Sequence, residues 1–225
     1  MGGHGQPYYV ERVRITKFGH ACVRVEHDGT ALVIDPGVWT EPEAVDGATA
    51  VLVTHEHPDH YLPDRLRAAE APVFTVEAVA ARIREEAPDL VERLTVVAPG
   101  EEFDAGLPVR AVGQLHAVIH PELPRFHNSG YLVTAGVETL FHPGDALTGP
   151  GQPVDVLCAP VSAPWLKAAE AVDFAREVGA PRNLAIHDRV YSEAGLGIVD
   201  GHFGLLLPET QSYTRLAEGE DLPDH

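Results

Sequence analysis

The stretch Ala48-Thr49-Ala50-Val51-Leu52-Val53-Thr54-His55-Glu56-His57-Pro58-Asp59-His60 joins an apolar run to three histidines and an aspartate. Ala48 to Val53 has the length and β-branched content of a buried strand, so the polar cluster falls in the loop at its C-terminal end. A loop is free of helical or strand alternation, so these four side chains can turn toward one point while the strand behind holds them in place. Imidazole nitrogen and carboxylate oxygen suit zinc, and also manganese or iron, which makes His55, His57, Asp59 and His60 candidate metal ligands. The alternative is a polar surface loop with chance histidines; the spacing H-x-H-x-D-H directly after a buried strand argues against it.

Working outward, Val13 to Phe18, Ala21 to Glu26 and Thr30 to Ile34 read as short strands. Asp28-Gly29 supplies the positive φ of a tight hairpin between the last two, so the chain opens as an antiparallel meander. Downstream, Leu62 to Ala69 and Glu77 to Glu86 read as helices around a strand at Val73 to Thr75, and Pro88 begins a short helical piece. Strands return at Thr95 to Val97, Val109 to Val112, Tyr131 to Ala135, Thr139 to Phe141 and Val154 to Leu157. An amphipathic helix, Trp165 to Val178, and a strand, Asn183 to Ile186, follow. Two sheets covered by helices fit this order. With no low-complexity linker, solenoid-period repeat or shift in composition, one domain over residues 1–225 is expected.

The formal net charge is -18, from 16 basic and 34 acidic residues, and no run of Lys or Arg offsets it locally. Nucleic acid is therefore not an expected partner, because affinity for a phosphate backbone rests on cations that replace its counterions. The opening Met1 to Val10 has no basic segment followed by an apolar stretch, and no later run reaches bilayer length. A cytoplasmic protein with no membrane partner is expected. Cys22 and Cys158 sit in apolar strand-like runs and read as small buried hydrophobes, not as a disulfide framework.

The motif T-H-E-H-P-D-H resembles the H-x-H-x-D-H signature of the metallo-β-lactamase superfamily. Phe18-Gly19-His20-Ala21, followed by Leu32-Val33-Ile34-Asp35-Pro36-Gly37, resembles the paired N-terminal strands of its UlaG-like branch, which contains ascorbate phosphate lactonases. The resemblance runs from about Arg14 to His187. It implies an α+β fold, the four-layer αββα sandwich of that superfamily, and a metal-dependent hydrolase acting on a small-molecule ester, lactone, amide or phosphodiester.

It also implies a ligand set. His55 and His57 would share one metal with His116 of G-Q-L-H-A; Asp59 and His60 would hold a second with His187 of L-A-I-H-D. Asp145 of F-H-P-G-D-A would bridge them. His120 and His127 compete with His116 for its position, since all three lie in one long loop. That loop would overhang the site, making His120, Arg125 and His127 candidates for substrate contact, with a solvated loop as the alternative. The cofactors implied are two divalent cations, zinc first, with manganese or iron as alternatives. A shared water acidified toward ~7 would supply hydroxide, with Asp59 orienting it or accepting its proton. Asp35, Glu56 and Asp188 are candidates to orient the histidines, and His20 either approaches the site or ties strands together. His4, His27, His202 and His225 read as surface or structural residues.

Two other readings remain: an iron-dependent oxidoreductase on the same fold, and a non-catalytic metal-binding module. A secreted lactamase, a nucleic-acid processing enzyme and a thioesterase with an added C-terminal helical domain are each disfavoured: by the absent export signal, by the charge, and by the short chain after His187. Gly204 to Leu207 is an apolar run suited to a homo-oligomer interface.

Overall fold

The computed structural model describes residues 12–224, so Met1 to Val10, His4 and His225 lie outside the described residues. The first half of the chain builds one seven-stranded sheet. Strands β1 (Arg14–Lys17), β2 (Val23–His27) and β3 (Thr30–Ile34) form the expected meander. The two residues of the β2–β3 turn, Asp28 and Gly29, have φ of 48° and 74°, as a hairpin that must follow the strand twist requires. Then β4 (Ala50–Val53), α1 (Pro63–Ala69), β5 (Val73–Thr75), α2 (Glu77–Glu86) and β6 (Leu94–Val96) add parallel strands with helices between them.

The second half repeats the plan. Strands β7 (Glu102–Asp104), β8 (Pro108–Val112), β9 (Gly130–Ala135) and β10 (Glu138–His142) are antiparallel neighbours. They are followed by β11 (Val156–Pro160), α3 (Ala168–Val178), β12 (Arg182–Ile186), α4 (Glu193–Leu206) and β13 (Ser212–Thr214). The strands β11, β12 and β13 run parallel to β10. The chain then crosses back, and β14 (Glu220–Asp221) pairs with β1 at the edge of the first sheet.

Strand alternation sets the layers. Leu32, Ile34 and Leu52 of the first sheet point inward and pack with Val109, Val133, Val156 and Cys158 of the second. Their neighbours Val33, Val51 and Val53 point outward, beneath Leu66 of α1 and Val79 and Ile83 of α2. Leu157 and Ala159 likewise point away from the sheet interface, toward Val172 of α3 and Val199 and Phe203 of α4. The result is a four-layer αββα sandwich, as expected. Each fully buried Leu or Ile contributes about 1.5–3 kcal/mol, so this double-sided burial is the main source of rigidity behind the loops. Cys22 and Cys158 are buried and unpaired.

Two expectations shift. The amphipathic helix begins at Ala168, not Trp165, because the Glu170 carboxylate accepts the Lys167 N–H and sets the first turn there. Trp165 is left in the preceding loop. Beyond His187 lies α4, whose last residues include the exposed Leu205 and Leu206 of the expected interface run. Among the described residues no helix is long and apolar enough to cross a membrane.

Candidate metal centre

All the strand ends that matter open on one rim. The loop after β4 carries Thr54 to His60, and the segment after β3 carries Asp35, Pro36 and Gly37. His116 lies in the long β8–β9 connection, Asp145 follows β10, and His187 follows β12. The chain passes so close at Gly37 that a Cβ there would run into the Asp59 carbonyl, while the Val38 N–H donates to Pro58 O at 2.8 Å. His20, Asp35 and His187 all have left-handed backbone, with φ of 41°, 53° and 59°. Such geometry costs about 1–3 kcal/mol per non-glycine residue and persists only where the surroundings impose it.

The seven expected ligands converge, in two groups whose donor atoms lie within 4.8 Å of one another: His55, His57, His116 and Asp145, and Asp59, His60, His187 with His20. Asp145 lies between them. Its Oδ1 is 3.1 Å from His60 Nε2, and its Oδ2 is 3.2 Å from both His116 Nε2 and His187 Nε2. His55 Nε2 and His57 Nδ1 are 3.0 Å apart.

The outward-facing ring nitrogens are tied down. His60 Nδ1 donates to Asp35 Oδ2 at 2.7 Å, His116 Nδ1 to Ala117 O at 2.6 Å, and His187 Nδ1 to Ser162 O. The Thr54 hydroxyl donates to Asp35 Oδ2 at 2.7 Å, which leaves its oxygen to accept from His55 Nδ1 at 2.9 Å. Each of these rings, once neutral, therefore turns an Nε2 lone pair inward, the tautomer a metal ligand needs. His60 Nε2, His187 Nε2 and Asp145 Oδ1 are buried with no hydrogen-bond partner. Leaving such groups unpaired costs about 1–3 kcal/mol each, and a divalent cation satisfies all three. The donor set thus fits the metals implied for it.

His20 follows the opposite logic. The Arg189 backbone N–H donates to its Nδ1 at 3.3 Å, so the proton sits on Nε2, which donates to Asp59 Oδ2 at 3.0 Å. It is a support for Asp59, and its carbonyl also accepts the His187 N–H at 2.9 Å. Both sequence-based alternatives for His20 thus hold at once. Of the candidates to orient the histidines, Asp35 serves both His60 and, through Thr54, His55. Asp188 instead forms a buried ion pair with Lys17 at 2.7 Å, and the buried Glu56 Oε2 has no hydrogen-bond partner.

Burial, reinforced by His60, holds His55 well below the ordinary imidazole value, and burial beside His116 lowers His57 to about 4. In the other group burial also opposes charge, but Asp145 and Asp35 outweigh it at His60, and Asp145 raises His187 to about 9. Burial would raise Asp59, yet the His187 and His20 rings beside it keep it well below the carboxylate range; His187 and His60 do the same against burial at Asp145.

A cavity of about 400 Å³ opens over the cluster, with His57, Asp59, His116, Asp145 and His187 at its floor. Its walls include Trp39, Ile119, Pro164, Trp165 and Val190. Trp165 Nε1 donates to Asp145 Oδ2 at 3.1 Å. The three residues expected to contact substrate are not among the walls. His120 is exposed and accepts the Glu122 N–H at 3.2 Å. His127 forms a β-bridge with Leu115 and lines a separate depression, and Arg125 Nε donates to His116 O at 2.7 Å. The loop turns Ile119 to the site instead. The tryptophans and Thr54 went unnoticed in the sequence; the available signal was that the chain has only 2 Trp, each close to a ligand-bearing segment or a strand end.

A family model described as a β-lactamase superfamily domain matches residues 14–187. The span includes every proposed ligand. The chain belongs to the metallo-β-lactamase superfamily. Among its superfamily relatives, protein Rv0786c of Mycobacterium tuberculosis is 41% identical over 196 residues, covering 84% of this chain and 90% of the relative. A UPF0173 metal-dependent hydrolase of Carboxydothermus hydrogenoformans is 30% identical over 169 residues, covering 66% and 72%. In fold, this metallo-β-lactamase chain is similar to the metallo hydrolase Igni18 of Ignicoccus hospitalis (TM-score 0.72, 16% identity, covering 93% of this chain and 97% of that one). It is also similar to CmlA, a diiron β-hydroxylase of Streptomyces venezuelae (TM-score 0.69, 17% identity, 97% and 55%).

Proposed function

We propose that the protein is a single-domain, metal-dependent hydrolase of small-molecule substrates. His55, His57 and His116 hold one divalent cation, Asp59, His60 and His187 a second, and Asp145 both. The observation that carries the reading is the set of inward Nε2 lone pairs, fixed from behind, around a carboxylate with an unpaired buried oxygen. The names of relatives such as the Carboxydothermus hydrolase support it.

Bound there, two zinc ions supply the acidification of water and the polarisation of a substrate oxygen that hydrolysis requires at neutral pH. The residues do the rest. Asp59, kept ionised by His187 and His20, accepts a proton from water at its carboxylate while His20 Nε2–H fixes its direction. Trp165 Nε1–H holds Asp145 Oδ2, and the Trp165 and Trp39 rings limit access of bulk water to the floor. An iron-dependent oxidation shares the fold and the ligand types, and the metal found in the protein separates the two.

The test is hydrolysis of an ester, a lactone, an amide and a phosphodiester by purified protein before chelation, after it, and after zinc is restored. Turnover of at least one class that disappears and returns with metal supports the proposal. Turnover indifferent to chelation refutes it.

A further inference from the structure

The walls above the cluster speak to substrate class. Beyond the floor ligands, the cavity is lined by Val38, Trp39, Pro58, Ile119, Trp165 and Val190 together with Pro164. None is charged, and none carries a side-chain hydroxyl or amide. Apart from the histidines of the cluster, the charged side chains that line the space among the described residues are Asp59 and Asp145. Both tryptophans of the chain are here, Trp39 with 43% of its surface exposed and its ring edge-on to His20 at 4.7 Å, and Trp165 fixed by its bond to Asp145. Val38 and Val190 are 44% and 37% exposed. An apolar rim on a water-facing cavity marks a binding surface more often than chance exposure does.

The nearby cations are committed elsewhere. Arg125 Nε donates to the His116 carbonyl, Arg189 pairs with Glu41 and Glu218, and Lys17 is buried against Asp188. Cations at the floor would engage the reacting group alone. A second anionic group on the substrate would lie against hydrocarbon and indole, in the field of a chain whose net charge is -18, with no lysine or arginine among the described lining residues to receive it. A phosphorylated lactone, the substrate type that the UlaG-like resemblance implies, would meet no lysine or arginine for its phosphate among the described lining residues.

We propose that the substrate is an uncharged ester, lactone or amide bearing a flat aromatic or alicyclic group, which the Trp39 and Trp165 walls receive while the carbonyl meets the floor. This rests on the hydrolase reading and narrows it, setting aside phosphorylated and carboxylated substrates.

Two measurements on the zinc-loaded protein test it. The first is kcat/KM for 4-methylphenyl butyrate against its 4-phosphonomethyl counterpart, with Trp39→Ala alongside. The neutral ester is expected to be favoured at least tenfold. Each methylene added to the acyl chain should raise kcat/KM roughly fourfold until the cavity is filled. Trp39→Ala should raise KM about tenfold with kcat nearly unchanged. The second is binding without turnover: quenching of tryptophan fluorescence by cyclohexyl methyl ketone and by 4-acetylcyclohexanecarboxylate. The neutral ketone should bind at least tenfold more tightly.

Equal or better binding or turnover of the anionic compounds overturns the inference while leaving the hydrolase reading intact. Preferential binding of the neutral ketone, with neither ester hydrolysed, supports the apolar pocket and counts against the hydrolase. No quenching by either ketone, or quenching unchanged in Trp39→Ala, also overturns it.

Discussion

The two halves of the proposed metal centre lie within one cluster yet are prepared in different ways. Beside His116, the His55 and His57 rings are held neutral by burial and by their neighbours. Asp59, His60 and His187 combine a carboxylate with two rings that Asp145 and Asp35 bias toward keeping protons. The first half is ready to accept a cation at neutral pH; the second must release protons to do so. The difference teaches that one shared carboxylate, Asp145, can serve two sites whose supporting shells set separate pH behaviour.

The comparison yields graded predictions. Asp145→Ala removes the shared residue, so metal analysis should find both cations lost and hydrolysis at background. Retention of either cation at wild-type affinity would break the symmetry of the account. Asp35→Asn comes next. Asp35 supports His60 directly and His55 through Thr54, so both halves should bind zinc about 10–100-fold more weakly by competition with a chelator. Thr54→Val removes the link to His55 and one donor to Asp35, which the Thr54 N–H and His60 still hold, so it should weaken the first half more than the second.

The fourth prediction concerns pH. His187 in the metal-free protein is raised from 6.5 to about 9, so a cation must displace its proton below that value. Calorimetric titration should show the second zinc tightening and releasing fewer protons as pH climbs toward 9, while the first zinc changes little above pH 6. The sign for metal-free stability is opposite. The protonated His187 contact with Asp145 stabilises fully below 6.5 and is lost as pH rises through about 9. The smallest effect is expected for His20→Phe, which removes the donor to Asp59 and should weaken only the second half, by about tenfold.

The fold and the clustering of the expected ligands were legible in the sequence for a physical reason: both are local. A strand with both faces buried, Ala50–Val53, reads as an unbroken apolar run, and the ligands follow it directly or end later strands. Asp28-Gly29 announced its turn in the same local way. What was not legible depends on distance. His20 meets Asp59 only because β1 and β2 turn over the motif loop, and Asp188 meets Lys17 across the whole chain. The helix α4 escaped notice because Gly195, Gly197, Gly201 and Gly204 each weaken helix propensity by about 1 kcal/mol; its packing through Leu196, Val199 and Phe203 overrides that. His120, Arg125 and His127 do not line the cavity over the cluster, and loop residues have no periodicity from which to infer that direction.

The measurement that bears most directly on the central claim is metal content per chain, by inductively coupled plasma mass spectrometry, on untagged protein purified without added metal and again after reconstitution. The account predicts two divalent cations per chain, one for each group of ligands, with zinc predominant. A protein that holds none even after reconstitution would contradict it.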